Sequence, residues 1–216
     1  MLLYGLRRGA LQALLALILA LGAGTAEARD PVKVLAFGDS LTAGFGLPPD
    51  KSFPAQLEAK LKREGRALRI VNAGVSGDTT AGGLARLDWA LADAPDIVIL
   101  ELGANDGMRG VEPKIVAANL DKIVSRLKAK GIAVLLAGMR APPNMGRAYG
   151  REFDAVFPEL AKRHELPLYP FFLEGVAGNP KLNLPDGIHP TAEGIAIIVE
   201  AIAPMLARLI DARAGK

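Results

Sequence analysis

Ser40 and His189 are the side chains of this sequence best suited to act together on a carbonyl carbon. Ser40 stands in Gly38-Asp39-Ser40-Leu41, directly after the apolar run 32–37. A buried strand that ends in a small polar turn delivers a hydroxyl to the open C-terminal edge of a sheet, where ligands of open α/β folds bind. A hydroxyl is a poor nucleophile at neutral pH, so it needs a base to take its proton and a third group to hold that base. Only two histidines exist, which narrows the choice. His189 lies in Asp186-Gly187-Ile188-His189-Pro190, with the Asp186 carboxylate three residues before it, so one short turn supplies both base and orienter. His164, in Lys162-Arg163-His164-Glu165 at the end of a helical pattern, reads as a solvated surface residue.

Other chemistries find little support. Two histidines and no cysteine leave no cluster with familiar metal-ligand spacing. Asp39, Asp106 and Asp186 at strand ends raise magnesium only as a minor alternative. Neither a Walker loop nor a Gly-x-Gly-x-x-Gly turn follows a strand, so no nucleotide, and no cofactor of any kind, is expected.

The elements that must position Ser40 and His189 are legible in the hydrophobic pattern. Val-, Ile- and Leu-rich runs alternate with longer amphipathic stretches, the signature of a parallel sheet covered on both faces. Strands are expected at 32–38, 67–73, 96–102, 132–138 and 167–172, and helices at 53–64, 80–92, 113–128, 148–164 and 191–210. Pro113 suits a first helical turn, and Gly65 and Gly131 suit C-terminal stops. The fold class predicted is α/β: a three-layer α/β/α sandwich on a flavodoxin-like, doubly wound, five-stranded parallel sheet of order 2-1-3-4-5. Loops 38–42, 72–79, 103–109 and 139–146 then form its functional edge.

The N-terminus reads differently from the rest. Arg7 and Arg8 precede the apolar run 10–21, and Ala26-Glu27-Ala28 offers small residues at the positions a signal peptidase reads, so residues 1–28 are expected to be a cleaved secretory signal. The run is shorter than the roughly 20 residues that span a bilayer comfortably, although an uncleaved anchor is the competing reading. Residues 29–216 form the one expected domain. The whole chain's formal charge of +3 provides no basic field for nucleic acid, and an exported protein without cysteine must be held together by its core alone. A periplasmic or secreted protein without a stable membrane anchor, expected to be a monomer, follows.

Four sequence blocks add a family resemblance over nearly the whole chain beyond residue 28. Gly38-Asp39-Ser40-Leu41, Asn72-Ala73-Gly74-Val75-Ser76-Gly77-Asp78-Thr79, Gly103-Ala104-Asn105-Asp106 and Asp186-Gly187-Ile188-His189-Pro190 occur in that order. Together they resemble the GDSL or SGNH hydrolases. Gly83-Leu84-Ala85-Arg86-Leu87, Glu101-Leu102-Gly103 and Pro170-Phe171-Phe172 are similar to the small thioesterase, lysophospholipase and arylesterase type within that family. The resemblance implies Ser40 as nucleophile, His189 as general base and then acid, and Asp186 as orienter. It also implies an oxyanion hole from the Ser40 N–H, the Gly77 N–H and the Asn105 amide. Asp39 is expected to hold the serine turn rather than to react.

The implied activity is hydrolysis of carboxylic esters and thioesters of fatty acyl groups through an acyl-enzyme, with lysophospholipids among the possible substrates and arylesterase side activity. Loops 45–49, 107–111 and 139–149 are apolar enough to meet an acyl chain, and Phe45, Met108, Arg109, Met139, Pro142 and Met145 are the expected contacts. In relatives, the segment after the Asn-Asp pair is a mobile lid, which would make 107–111 the lid here. Arg109, Arg140 and Arg147 would place positive charge near the mouth. A carbohydrate O-acetylesterase is the enzymatic alternative, weakened by Trp89 being the sole tryptophan. A catalytically silent periplasmic binding domain is the alternative of another class.

Overall fold

The apolar runs pair as a single five-stranded parallel sheet in a computed structural model that describes residues 30–215. The expected signal segment, residues 1–28, lies outside the described residues. The strands are β1 (Val32–Gly38), β2 (Leu68–Gly74), β3 (Ile97–Glu101), β4 (Ala133–Ala137) and β5 (Leu168–Tyr169), and their order is β2-β1-β3-β4-β5, as the sequence pattern predicts. Every residue of β3 is buried, and in β1 only Lys33 is exposed. Such runs can be accommodated only by a sheet covered on both faces.

The longer helices supply that cover by ordinary 3.6-residue spacing. Phe53, Leu57 and Leu61 of α2 (Phe53–Arg63) are fully buried, as are Val116, Leu120, Ile123, Val124 and Leu127 of α5 (Pro113–Ala129). Helix α2 packs beside α7 (Ala192–Ala214), while α5 packs beside α3 (Thr80–Ala90) and α6 (Arg147–His164), so the helices form two layers with the sheet between them. Two one-turn helices, α1 (Ser40–Ala43) and α4 (Ala104–Met108), stand where the sequence predicts only loops after β1 and β3. Both begin at the carboxyl edge, where the chain leaves a strand and turns at once.

Strand β5 is shorter than the expected 167–172. Pro167 and Pro170 bracket Leu168 and Tyr169, and proline has no N–H to extend a ladder. Phe172 N–H still bonds to the Gly138 carbonyl, so the chain keeps its course along β4 without counting as strand.

The end of β1 is packed without slack. A Cβ at Gly38 would lie 2.5 Å from the Glu101 carbonyl oxygen and closer still to Thr42 Oγ1 and Glu101 Oε2. Backbone and buried carboxyl cannot both retreat, so Gly38→Ala is expected to destabilise the protein by roughly 3 kcal/mol. Urea unfolding of the two proteins measures this directly, and a loss below about 1 kcal/mol would show that the turn can relax.

Candidate active site

Ser40 is the first residue of α1, and that helix exists because Asp39 and Gly44 close its ends. The Asp39 side chain accepts the Leu41 N–H at 3.0 Å, and Gly44 adopts a left-handed conformation (φ 84°) as its own N–H returns to the Ser40 carbonyl. Short polar side chains cap helix starts and glycine permits positive φ without a Cβ penalty, so the local sequence makes a tight strand–turn–helix. The serine is left half-buried at its apex.

His189 reaches Ser40 from the other end of the chain. Its turn is tied at the neck by Leu184 N–H to the His189 carbonyl at 2.7 Å and by Thr191 N–H to the Leu182 carbonyl at 2.9 Å. Asp186 Oδ1 accepts the Ile188 N–H at 2.9 Å and the His189 N–H at 3.0 Å, and Oδ2 faces His189 Nδ1 at 2.7 Å. A carboxylate only accepts, so Nδ1 carries the hydrogen and Nε2 is left to accept from the Ser40 hydroxyl, 2.9 Å away. Those two backbone N–H groups, His189 first, and then the imidazole, hold the Asp186 carboxyl down at about 2. The arrangement can take the proton of Ser40 and stabilise the resulting imidazolium.

Among the described residues, the N–H groups of Ser40 and Gly77 donate to no partner within the chain, as an anion-binding position requires. Asn105 is different. Its side-chain amide donates both to Asp39 Oδ2 at 3.1 Å and to the Asp78 carbonyl at 2.9 Å. An oxyanion at Ser40 must compete with one of these acceptors for an Asn105 hydrogen, a constraint invisible in the sequence.

Beneath this layer lies a buried carboxyl pair that sequence reasoning missed. Glu101 ends β3, and the β1–β3 register sets it opposite Gly38. Its Oε2 accepts from Thr42 Oγ1 at 2.6 Å and from the Asp39 N–H at 3.3 Å, whereas Oε1 has no partner among the described residues. Burial first, and then the charge of Asp39, raise the Glu101 carboxyl well above the usual range. Burial also pushes Asp39 up to about 6 against the lowering effect of Leu41 N–H and Asn105. Two carboxylates in one dry site do not both ionise. Asp39 holds Asn105 and the Leu41 N–H, while Glu101 ties β3 to the serine turn through the Thr42 hydroxyl and the Asp39 N–H.

Arg86 straps the same edge together. It bonds Asp78 at 2.7 Å, the Ala73 carbonyl at 2.9 Å and the Gly38 carbonyl at 3.0 Å, with its guanidinium over the Phe37 ring. Asp106, the other carboxylate raised for magnesium, is spent on the Thr80 N–H and hydroxyl at 2.8 and 2.7 Å. Among the described residues, no group of three or more potential ligands is placed to hold a metal ion. The Glu101 and Arg86 segments stood out in the sequence as family markers, but their partners did not.

A cavity of about 470 Å³ opens from Ser40 between Asn105, Met108, Met139, Pro142, Phe171 and Ile188. Three of the six expected substrate contacts, Met108, Met139 and Pro142, therefore line it. The other three do not. Arg109 is turned away to donate to the Gly77 carbonyl at 3.0 Å, Met145 packs towards Gly110, and Phe45 stacks on His189 with ring centroids 4.4 Å apart. Arg140 is at the rim as predicted, but it pairs with Glu174 at 3.3 Å and lies over Phe171. His164 is bonded to Asp121 at 2.8 Å, far along the chain from this edge.

A doubly wound sheet with a serine–histidine pair at its carboxyl edge defines an α/β hydrolytic enzyme, and comparison places it more narrowly. The chain belongs to the GDSL-like lipase/acylhydrolase family, which it matches over residues 36–197. It is 41% identical over 185 residues to an arylesterase of Vibrio mimicus, covering 85% of this chain and 92% of that one. It is 39% identical over 187 residues to thioesterase 1/protease 1/lysophospholipase L1 of Escherichia coli, covering 86% and 88%. Among solved structures, that of TesA matches with a TM-score of 0.78 at 42% identity, covering 82% of this chain and 99% of that one. The protein is thus an SGNH-type hydrolase of esters and thioesters.

Proposed function

We propose that the protein hydrolyses fatty acyl esters and thioesters through an acyl-enzyme on Ser40. One observation carries this reading: the Asp186–His189–Ser40 line, at 2.7 and 2.9 Å, opens onto an apolar cavity of about 470 Å³. His189 Nε2 takes the hydroxyl proton as Ser40 Oγ attacks the acyl carbon, and Asp186 stabilises the imidazolium. The developing oxyanion is met by the Ser40 and Gly77 N–H groups and by Asn105, which shares a hydrogen with Asp39 or Asp78. His189 then protonates the leaving oxygen or sulfur, and water repeats the sequence to release the acid.

The acyl chain occupies the cavity, whose apolar walls and size fall within the range of small-molecule sites and exceed what an acetyl group fills. Lysophospholipids are one source of such chains; Arg140 and Arg109 are engaged with Glu174 and the Gly77 carbonyl, whereas Arg147 is exposed. Residues 1–28 act as an export signal in this reading, and the enzyme works outside the cytoplasm as a monomer. No helix of the described residues is long and apolar enough to cross a membrane.

The test is hydrolysis of p-nitrophenyl esters from acetyl to palmitoyl. kcat/KM is expected to rise from acetyl to a medium or long chain, by about tenfold or more as two or more methylenes are buried. Activity confined to acetyl would replace this reading with deacetylation.

A further inference from the structure

We infer that Phe45 forms the wall against which the leaving group of the substrate packs, and that it selects for esters and thioesters with a flat, apolar leaving group such as a phenol or thiophenol. The inference rests on the acyl-enzyme reading above and adds to it a second subsite, outside the acyl cavity and against His189.

The geometry of acyl transfer divides the space around Ser40. In the tetrahedral intermediate the acyl carbon holds Ser40 Oγ, the oxyanion, the acyl chain and the leaving group. The oxyanion faces the Ser40 and Gly77 N–H groups, and the acyl chain takes the cavity bordered by Met108, Pro142 and Ile188. The leaving atom must lie within hydrogen-bond reach of His189 Nε2, because that nitrogen supplies its proton. The carbon–oxygen or carbon–sulfur bond then breaks with its electron pair on the leaving atom. That atom takes the proton from Nε2, and the acyl carbon stays on Ser40 Oγ. The rest of the leaving group is directed over the imidazole edge, away from the cavity.

Phe45 stands there. Its ring is tilted 33° to the imidazole at a centroid separation of 4.4 Å, and neither ring borders the acyl cavity. Phe45 is nevertheless 50% exposed, so a large apolar face beside the reacting atoms is open to a ligand. The ring is also placed firmly. Phe45 N–H donates to the carbonyl of Ser40 itself at 3.1 Å, and Gly44 and Gly46 on either side have positive φ values of 84° and 75°. The turn that presents the nucleophile thus presents the aromatic wall, and an aromatic leaving group can stack on it or meet its edge.

The experiment compares phenyl butyrate with ethyl butyrate, which form the same butyryl-enzyme, in the wild type, Phe45→Ala and Phe45→Tyr. Phe45→Ala is expected to lower kcat/KM for the phenyl ester about tenfold and for the ethyl ester less than about twofold, while Phe45→Tyr keeps the wild-type ratio. Deacylation, followed as the partition of the butyryl-enzyme between water and added hydroxylamine and as the slow phase after the burst, is expected to be unchanged, since the leaving group has already gone. Equal losses on the two esters, or slowed deacylation, would overturn the inference and make Phe45 a support for the imidazole. Absence of a butyryl adduct on Ser40 by mass spectrometry in the wild type would instead overturn the acyl-enzyme reading itself.

Discussion

Ser40→Ala is expected to lower kcat on p-nitrophenyl butyrate by about 10⁵- to 10⁶-fold and to leave the fold intact. The magnitude follows from removing the atom that forms the covalent bond while the base and the oxyanion donors remain, a loss that serine hydrolases show when the nucleophile alone is deleted. The fold should tolerate the change. The Ser40 hydroxyl bonds only His189 among the described residues, alanine is a good helix former, and the cap of α1 comes from Asp39. A thermal midpoint within about 2 °C of wild type is the control, since surface-type substitutions stay within about 0.5 kcal/mol. Loss of only tenfold would mean that water attacks the ester directly with His189 as base, and the acyl-enzyme would have to be abandoned.

Asp186→Asn is expected to cost about 10⁴-fold in kcat with KM little changed, because it reverses the imidazole. Asp186 Oδ1 accepts two backbone N–H groups, so an asparagine must place its oxygen there. Its NH₂ then faces His189 Nδ1, which becomes an acceptor, and the imidazole hydrogen moves to Nε2. In that tautomer Nε2 points a hydrogen at Ser40 Oγ and cannot take the serine proton. Steady-state kinetics at neutral pH measure the effect, and activity within tenfold of wild type would reduce Asp186 to a turn-former.

The same carboxyl makes a pH prediction with a definite sign. Its folded value of about 2 lies below the ordinary 3.8, so its stabilising effect is complete above 3.8 and is lost as pH falls through about 2. The part of the stability gap between wild type and Asp186→Asn that this carboxylate supplies should therefore shrink as pH falls from 3.8 towards about 2, as urea unfolding across that range would measure. Asp39 works in the opposite sense. A carboxyl raised to about 6 favours the fold most below 3.8, and that contribution is lost as pH rises through about 6.

The sequence by itself determined the five strands and the five longer helices in their order, the order of the sheet and the residues that converge at its carboxyl edge. These are consequences of local pattern. Runs such as 97–101 can be satisfied only between two layers, and Asp186 and His189 are near enough in the chain for one turn to orient both. Loop composition reports polarity but not direction, and none of the Phe45, Arg109 and Met145 side chains that it suggests as substrate contacts borders the cavity. The apolar run around Pro167 and Pro170 predicts a strand longer than the two residues that form, because the prolines supply no N–H to the ladder. The tertiary structure alone decided the rest. Glu101 is 62 residues from Asp39, and only the pairing of Gly38 with Glu101 across β1 and β3 brings the two carboxyls into one buried site. Arg86 meets the ends of β1 and β2, and Phe45 meets a histidine supplied by the other end of the chain. Periodicity along a chain encodes which face of an element is buried. What a side chain touches there, and which charge a buried acid keeps, depends on register and packing between elements that no local spacing records.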